Sequence, residues 1–185
     1  MFKIDFDYKG AFLEWAKIIE EGNQAFAQRR YSQAELSFAE ALKLAQSWPH
    51  SDQEMAEQEL ETRLAKSFNN LAALYHTQGK YSMAEELYEK SLMIKKKLHG
   101  EEHEEVALNI QNLGALYGAK RQYAEAERML KQALNIKEKI LGAEHPDLIT
   151  TLQNYSMLLK KLDRNQEATE IDARVEQIAN NKGQP

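Results

Sequence analysis

The stretch "LHGEEHEEVA", residues Leu98 to Ala107, places His99 and His103 one helical turn apart among Glu101, Glu102, Glu104 and Glu105. Imidazole and carboxylate together are ligands for zinc, nickel or iron. A metal site is the chemistry this spacing offers. Whether it is one depends on the elements that carry the two histidines.

Those elements repeat. Asn70, Asn112 and Asn154 are spaced by 42 and 42. The same shift carries Tyr75 to Tyr117, Tyr81 to Tyr123, Ala84 to Ala126 and Leu92 to Leu134. A more worn copy starts at Leu152, and an earlier one, "GNQAFAQRRYSQAELSFAEALKL", starts at Gly22 and lies 50 residues before its successor. A fixed period of this length signals a stack of supersecondary units. Adding 42 turns His103 into His145, Glu102 into Glu144 and Gly100 into Gly142, whereas His99 becomes Leu141. "HGEEHEE" is thus the linker between two copies, matched by "LGAEHPD" between the next two. Acidic residues there suit the start of a helix. The expectation is a structural linker, with neither metal nor cofactor.

Each copy reads as two helices. Ala84, Leu87, Tyr88, Ser91 and Leu92 fall at three-and-four spacing, as do Ala126, Met129, Leu130, Ala133 and Leu134. Breaks fall at "TQGKY" and "AKRQY", where Gly79 suits a positive φ. A small residue recurs in each first helix, at Gly22, Ala72, Gly114 and Ser156, as close helix approach would require. Ser51 and Glu54 form a candidate capping box after Pro49, and Met55, Leu60, Leu64 and Phe68 continue one face. The first helix of the second copy is therefore expected to be about two turns longer than its counterparts.

Composition agrees with an all-helical chain. Of 185 residues 43% are apolar, 29% are charged, and Gly and Pro number only 8 and 3. Cysteine is absent, which excludes disulfides and thiolate chemistry. "MFKIDFDYKG" lacks the apolar core of a signal peptide, and no run reaches the length of a membrane span. A cytoplasmic protein is expected. Residues 1–64 hold 7 basic and 12 acidic side chains, and residues 65–185 hold 17 of each. Neither part has the basic excess of a nucleic-acid binder. Lys95-Lys96-Lys97 reads as a solvated helix end, and Glu85/Glu86 and Glu104/Glu105 as solvated charges. His145-Pro146-Asp147 reads as a linker with proline in a first helical turn, and the glycosylation triplet at Asn154 lies within a helix. No phosphate loop or Ser-His-Asp set with a recognisable context is present, so no enzyme is expected.

The small–aromatic–Tyr–Ala spacing of Gly114, Tyr117, Tyr123 and Ala126 resembles the tetratricopeptide repeat, or TPR. The 42-residue period and the two linkers are similar to those of kinesin light chains over about residues 65–180, whereas "GNQAF" resembles the opening repeat of chaperone-binding TPR proteins. The resemblance implies a right-handed superhelical solenoid of about four helix pairs. Its repeats would span about 15–48, 52–98, 104–141 and 146–180 within one domain, 11–180. A 1–10 extended segment would precede them, and residues 181–185 would form a disordered tail. Asp172 and Glu176 replace the apolar residues of earlier copies and give the last helix the polar face of a terminal cap.

The same resemblance implies a concave groove lined by the first helices, holding a peptide or partner segment. One stripe of those helices holds Lys66, Asn69, Ala73 and His76, then Leu108, Gln111, Ala115 and Gly118, then Thr150, Gln153, Met157 and Lys160, beside the row Asn70, Asn112, Asn154. Side-chain amides carry donors and an acceptor for a ligand's main chain. The candidate groove residues are Lys66, Asn69, Asn70, His76, Gln111, Asn112, Gln153, Asn154 and Lys160. Two alternatives stand beside this reading. A co-chaperone clamp for a terminal carboxylate would keep Asn23 and Asn70 but have Ile19, Leu108 and Asn112 where it needs cations. A structural adaptor would self-associate through its ends. The expected partner is a protein or peptide, not nucleic acid or membrane, with the chain a monomer or dimer.

Overall fold

The computed structural model describes residues 8–48 and 54–181. The described residues form eight α-helices: α1 Tyr8–Ala27, α2 Tyr31–Gln46, α3 Glu54–Thr77, α4 Tyr81–His99, α5 Glu104–Ala119, α6 Tyr123–Leu141, α7 Ile149–Lys161 and α8 Asn165–Asn181. One 3-10 turn, Pro146–Leu148, leads into α7. No strand occurs among them. The fold is all-α and built of helix pairs. α3, at 24 residues, exceeds the 16 of α5 by the expected two turns but the 20 of α1 by only one. The proposed capping box lies partly outside the described residues, as do residues 1–7 and 182–185. Residues 8–10, read as extended from the sequence, already belong to α1.

Four identical turns join the helices of each pair. The amide of the third residue beyond the helix donates back five residues: Arg30 to Ala25, Lys80 to Tyr75, Gln122 to Tyr117 and Arg164 to Leu159, at 2.8–3.0 Å. This is the Schellman closure, and it needs one left-handed residue. Arg29, Gly79, Arg121 and Asp163 hold that place with φ of 58°, 74°, 61° and 57°. Only the second copy supplies a glycine.

The chain divides into two compact units, Met1–Ile94 and Lys95–Pro185, with the division inside α4. In the first, α1 packs on α2 and α2 on α3. Trp15, Ile19, Phe38, Leu74 and Tyr88 are buried there, and the Trp15 indole donates to Ser67 Oγ at 3.0 Å. The guanidinium of Arg63, also buried, stacks on Phe12 and Trp48 and pairs with Glu59. In the second unit α5 packs on α6, α6 on α7 and α7 on α8. Ala126, Leu130, Tyr155, Leu158, Leu159 and Ala168 form one cluster, and Leu148, Leu152 and Ile178 another.

The recurring small position sets these approaches. A Cβ on Gly22 would lie 2.5 Å from Phe38 Cε1, and one on Gly114 would lie 2.8 Å from Leu130 Cγ. The last described helix is more polar than its counterparts. α8 buries only Ala168 and Ile178; Asp172 pairs with Lys160 at 2.6 Å and Glu176 is exposed.

Candidate functional site

The two linker histidines cap helices. Nδ1 of His103 accepts from the Glu105 amide, and Nδ1 of His145 from the Asp147 amide, each at 3.2 Å. Both sit at the residue before a helical turn, where a side-chain acceptor satisfies an otherwise unpaired N–H. His99 stacks on His103 with centroids 4.3 Å apart. Burial and the neighbouring imidazole lower its pKa below the ordinary histidine value. Among the described residues no group of three or more His, Asp or Glu side chains is placed to hold a metal ion.

Two buried lysines, in α4 and α6, reach across the linkers. Lys95 is 6% exposed and reaches Glu105 Oε2 at 2.8 Å, so neither it nor Glu105 is simply a solvated charge. Lys137, one period later and also 6% exposed, donates to Gln111 Oε1 at 2.8 Å, Thr151 Oγ1 at 3.1 Å and the Asp147 carbonyl at 3.3 Å. Desolvation lowers the Lys137 pKa. Each lysine ties a second helix to the start of the first helix that follows. The signal was legible as Ile94-Lys95 matching Ile136-Lys137. A second recurrent tie joins Glu35 to Lys80 at 3.4 Å and Glu127 to Arg164 at 2.8 Å. It was legible as the glutamate after Ala34, Ala84 and Ala126.

The expected groove residues divide accordingly. In the first unit Lys66 is exposed, with its ammonium 5.7 Å from the Trp15 ring centroid. Asn69 is half-buried, and Asn70 donates to Asn23 Oδ1 at 3.4 Å. His76 is half-buried against the Tyr81 ring, and desolvation lowers its pKa. In the second unit Gln111 is 5% exposed and accepts from Lys137 and Thr151, so its amide faces α6 and α7 rather than solvent. Asn112 is half-buried, Gln153 is exposed, and Lys160 is exposed and paired with Asp172.

Asn154 is placed differently. It lines a cavity of about 470 Å³ between α5, α6 and α7. Gly114, Ala115, Gly118 and Ala119 form one wall, Tyr123, Ala126 and Leu130 the floor, and Met157, Leu158 and Lys161 the other wall, with Arg121 at the turn. Ala115, Gly118 and Met157 belong to the stripe read from the sequence; Arg121, Tyr123 and Lys161 do not. The cavity contains no carboxylate and no nucleophile paired with a base.

A family model described as tetratricopeptide repeat matches residues 63–139 and 107–181. A second model, of a family of unknown function, matches residues 13–93. No curated protein matches the chain. Among solved structures, apo RapI aligns with a TM-score of 0.75 at 19% identity over 97% of this chain. The chain spans only 59% of the length of RapI. BtubC (BKLC) from P. vanneervenii aligns with a TM-score of 0.61 at 21% identity, over 98% of this chain and 94% of that one. A kinesin light chain with nearly identical TPR-like repeats, from Podosopora anserina, aligns with a TM-score of 0.59 at 18% identity, over 93% and 98%. At these identities the likeness is one of fold.

Proposed function

Because the chain belongs to the tetratricopeptide-repeat family, we propose that it is a non-catalytic interaction scaffold that holds an extended segment of a partner protein along the stripe of the first helices of its second unit, α5 and α7. The observation that carries this is the cavity between α5 and α7, which opens where small residues of the stripe meet the half-buried amide of Asn154. Small residues let a ligand's main chain come close, and the amide can pair with it whatever the ligand's sequence. The clamp for a terminal carboxylate gains no support: Ile19, at one of its cationic positions, is a buried aliphatic side chain. No helix among the described residues is long and apolar enough to cross a membrane.

A peptide-display selection on the purified protein tests the proposal. Selected peptides should bind wild type and lose about 1–3 kcal/mol on Asn154→Ala or Asn112→Ala if a partner group is left unpaired. Melting temperatures of these variants should stay close to wild type. A large loss of stability with unchanged affinity per folded molecule would reassign the asparagines to the architecture and remove the groove role.

A further inference from the structure

α5 contains two glycines, and packing explains only one. A side chain on Gly114 would collide with Leu130, whereas a Cβ on Gly118 would meet nothing within 4 Å. Glycine inside a helix is less stable than alanine. Gly118 therefore keeps a destabilising residue type where no neighbour demands it.

The first two copies place a ring there, whereas the fourth has Lys160. Phe26 and His76 occupy the equivalent position and lay their rings against Tyr31 and Tyr81, each pair with centroids 6.0 Å apart. Gly118 and Tyr123 are the corresponding pair in the third copy, so the Tyr123 ring lacks its companion and borders the cavity instead. Arg121 and Lys161 also line the cavity, and among the described residues no side chain engages either. By contrast Lys131 is committed to Glu127 and Lys160 to Asp172. Elsewhere in this chain cations lie over rings, as Lys80 does over Tyr75 at 4.9 Å and Lys120 over Tyr117 at 5.5 Å.

We propose that the cavity is an aromatic subsite: one aromatic side chain of the partner segment fills the space above Gly118 and stacks on Tyr123, in the place that Phe26 and His76 take in their own copies. Arg121 and Lys161 at the rim add cation–π attraction to that ring. The subsite rests on the groove reading for its partner, and it deepens that reading by naming the side chain that anchors the segment. An aliphatic side chain would gain burial but neither the ring–ring nor the cation–ring term.

The test is an NMR titration of the isotope-labelled full chain with N-acetyl-tryptophan amide and N-acetyl-phenylalanine amide, with N-acetyl-leucine amide and N-acetyl-glutamate amide as comparators. Saturable shifts of the Gly118 amide and the Asn154 side-chain amide are expected from the aromatic probes, with affinity about tenfold above leucine. Gly118→Phe should supply the missing ring from within. It should fold with an unchanged or higher melting temperature, and the aromatic probes should no longer shift Asn154. Equal response to leucine, preference for the glutamate probe, silence at Gly118, or undiminished binding by folded Gly118→Phe would each overturn the subsite. Peptides selected for the groove that bind Gly118→Phe as tightly as wild type would remove the subsite and leave the groove standing.

Discussion

The ammonium of Lys137 lies 2.8 Å from the amide oxygen of Gln111, and both side chains are out of water. The pair holds α6 to α5, and through Thr151 it reaches α7. Lys137→Met keeps the buried length but removes the donor to Thr151 Oγ1 and to the Asp147 carbonyl, and leaves the Gln111 oxygen with the Thr151 hydroxyl alone. A loss of about 1–3 kcal/mol is expected, because a buried acceptor then lacks its hydrogen bond. Gln111→Leu added to Lys137→Met should recover part of it. Urea denaturation of the three variants measures both.

Gly114→Ala should be destabilising by about 1–3 kcal/mol, although alanine is the better helix former. The added methyl meets both the Leu130 side chain and, at 3.3 Å, its backbone nitrogen, which cannot rotate away. Ala at Gly118, where the space is open, should have the opposite sign and raise stability by up to about 1 kcal/mol. A pair of thermal melts with opposite shifts would bear this out; two losses would contradict it.

Asp163 occupies the left-handed turn position with φ 57°. Asp163→Gly removes the strain of a side chain at positive φ but gives the unfolded chain more freedom. The first effect costs L residues about 1–2 kcal/mol, and the second offsets up to about 1 kcal/mol of it. A small net gain, below about 1 kcal/mol, is expected in the denaturation midpoint. A clear loss would mean that the aspartate side chain supports the turn.

Hydrogen bonds from Lys131, and also from Arg164 and Tyr155, hold the Glu127 carboxyl at a pKa of about 2, against the opposing effect of burial. A carboxylate whose folded pKa is depressed stabilises the fold above its unfolded pKa. That stability is lost as pH falls from about 4.5 towards 2. Because its partners reach water, the contribution is reduced to about 1 kcal/mol. Stability should therefore fall between pH 5 and about pH 2.5 with a component that Glu127→Gln abolishes. Parallel acid titrations of wild type and Glu127→Gln, followed by circular dichroism in fixed urea, would show converging curves.

α8 carries Asp172 and Glu176 where Phe38 and Leu42, or Leu130 and Leu134, stand in earlier second helices. Asp172→Leu with Glu176→Leu should give this helix an apolar outer face and promote association at high concentration. Light scattering should show the apparent mass rising with concentration for the variant and not for wild type.

What the sequence disclosed was whatever recurs on a regular stagger. The shift by 42 identified the helix pairs, the small position at Gly114 and the linker status of His103, because these follow from period and residue size alone. Which way an amide turns does not. Gln111 and Asn112 are adjacent and chemically alike, yet only Gln111 meets a buried lysine, and that depends on the depth at which α6 sits. Lys95 looked solvated because it heads a run of three lysines; its burial follows from a partner ten residues away across a linker. The cavity was the hardest feature to read. It arises from a ring missing at Gly118, and such an absence gains meaning only once Phe26 on Tyr31 and His76 on Tyr81 have been seen in contact.

The linkers have a consequence for how such a chain can lengthen. Between one capping histidine and the next, the chain carries a complete set of instructions: an imidazole to start the first helix, a left-handed residue to reverse it, and a buried lysine to fasten the second helix to whatever linker follows. Every one of these interactions closes within a period or onto the opening of its successor. A gene segment encoding residues 103–144 is therefore a self-sufficient cassette, and a tandem duplication of it delivers a further helix pair with its cap, turn and latch already matched. Insertion out of that frame would separate a lysine from its acceptor. Where no such lysine stands, as at Ala45, the spacing is free to differ: Tyr31 and Tyr81 lie 50 residues apart, whereas His103 and His145 lie 42 apart.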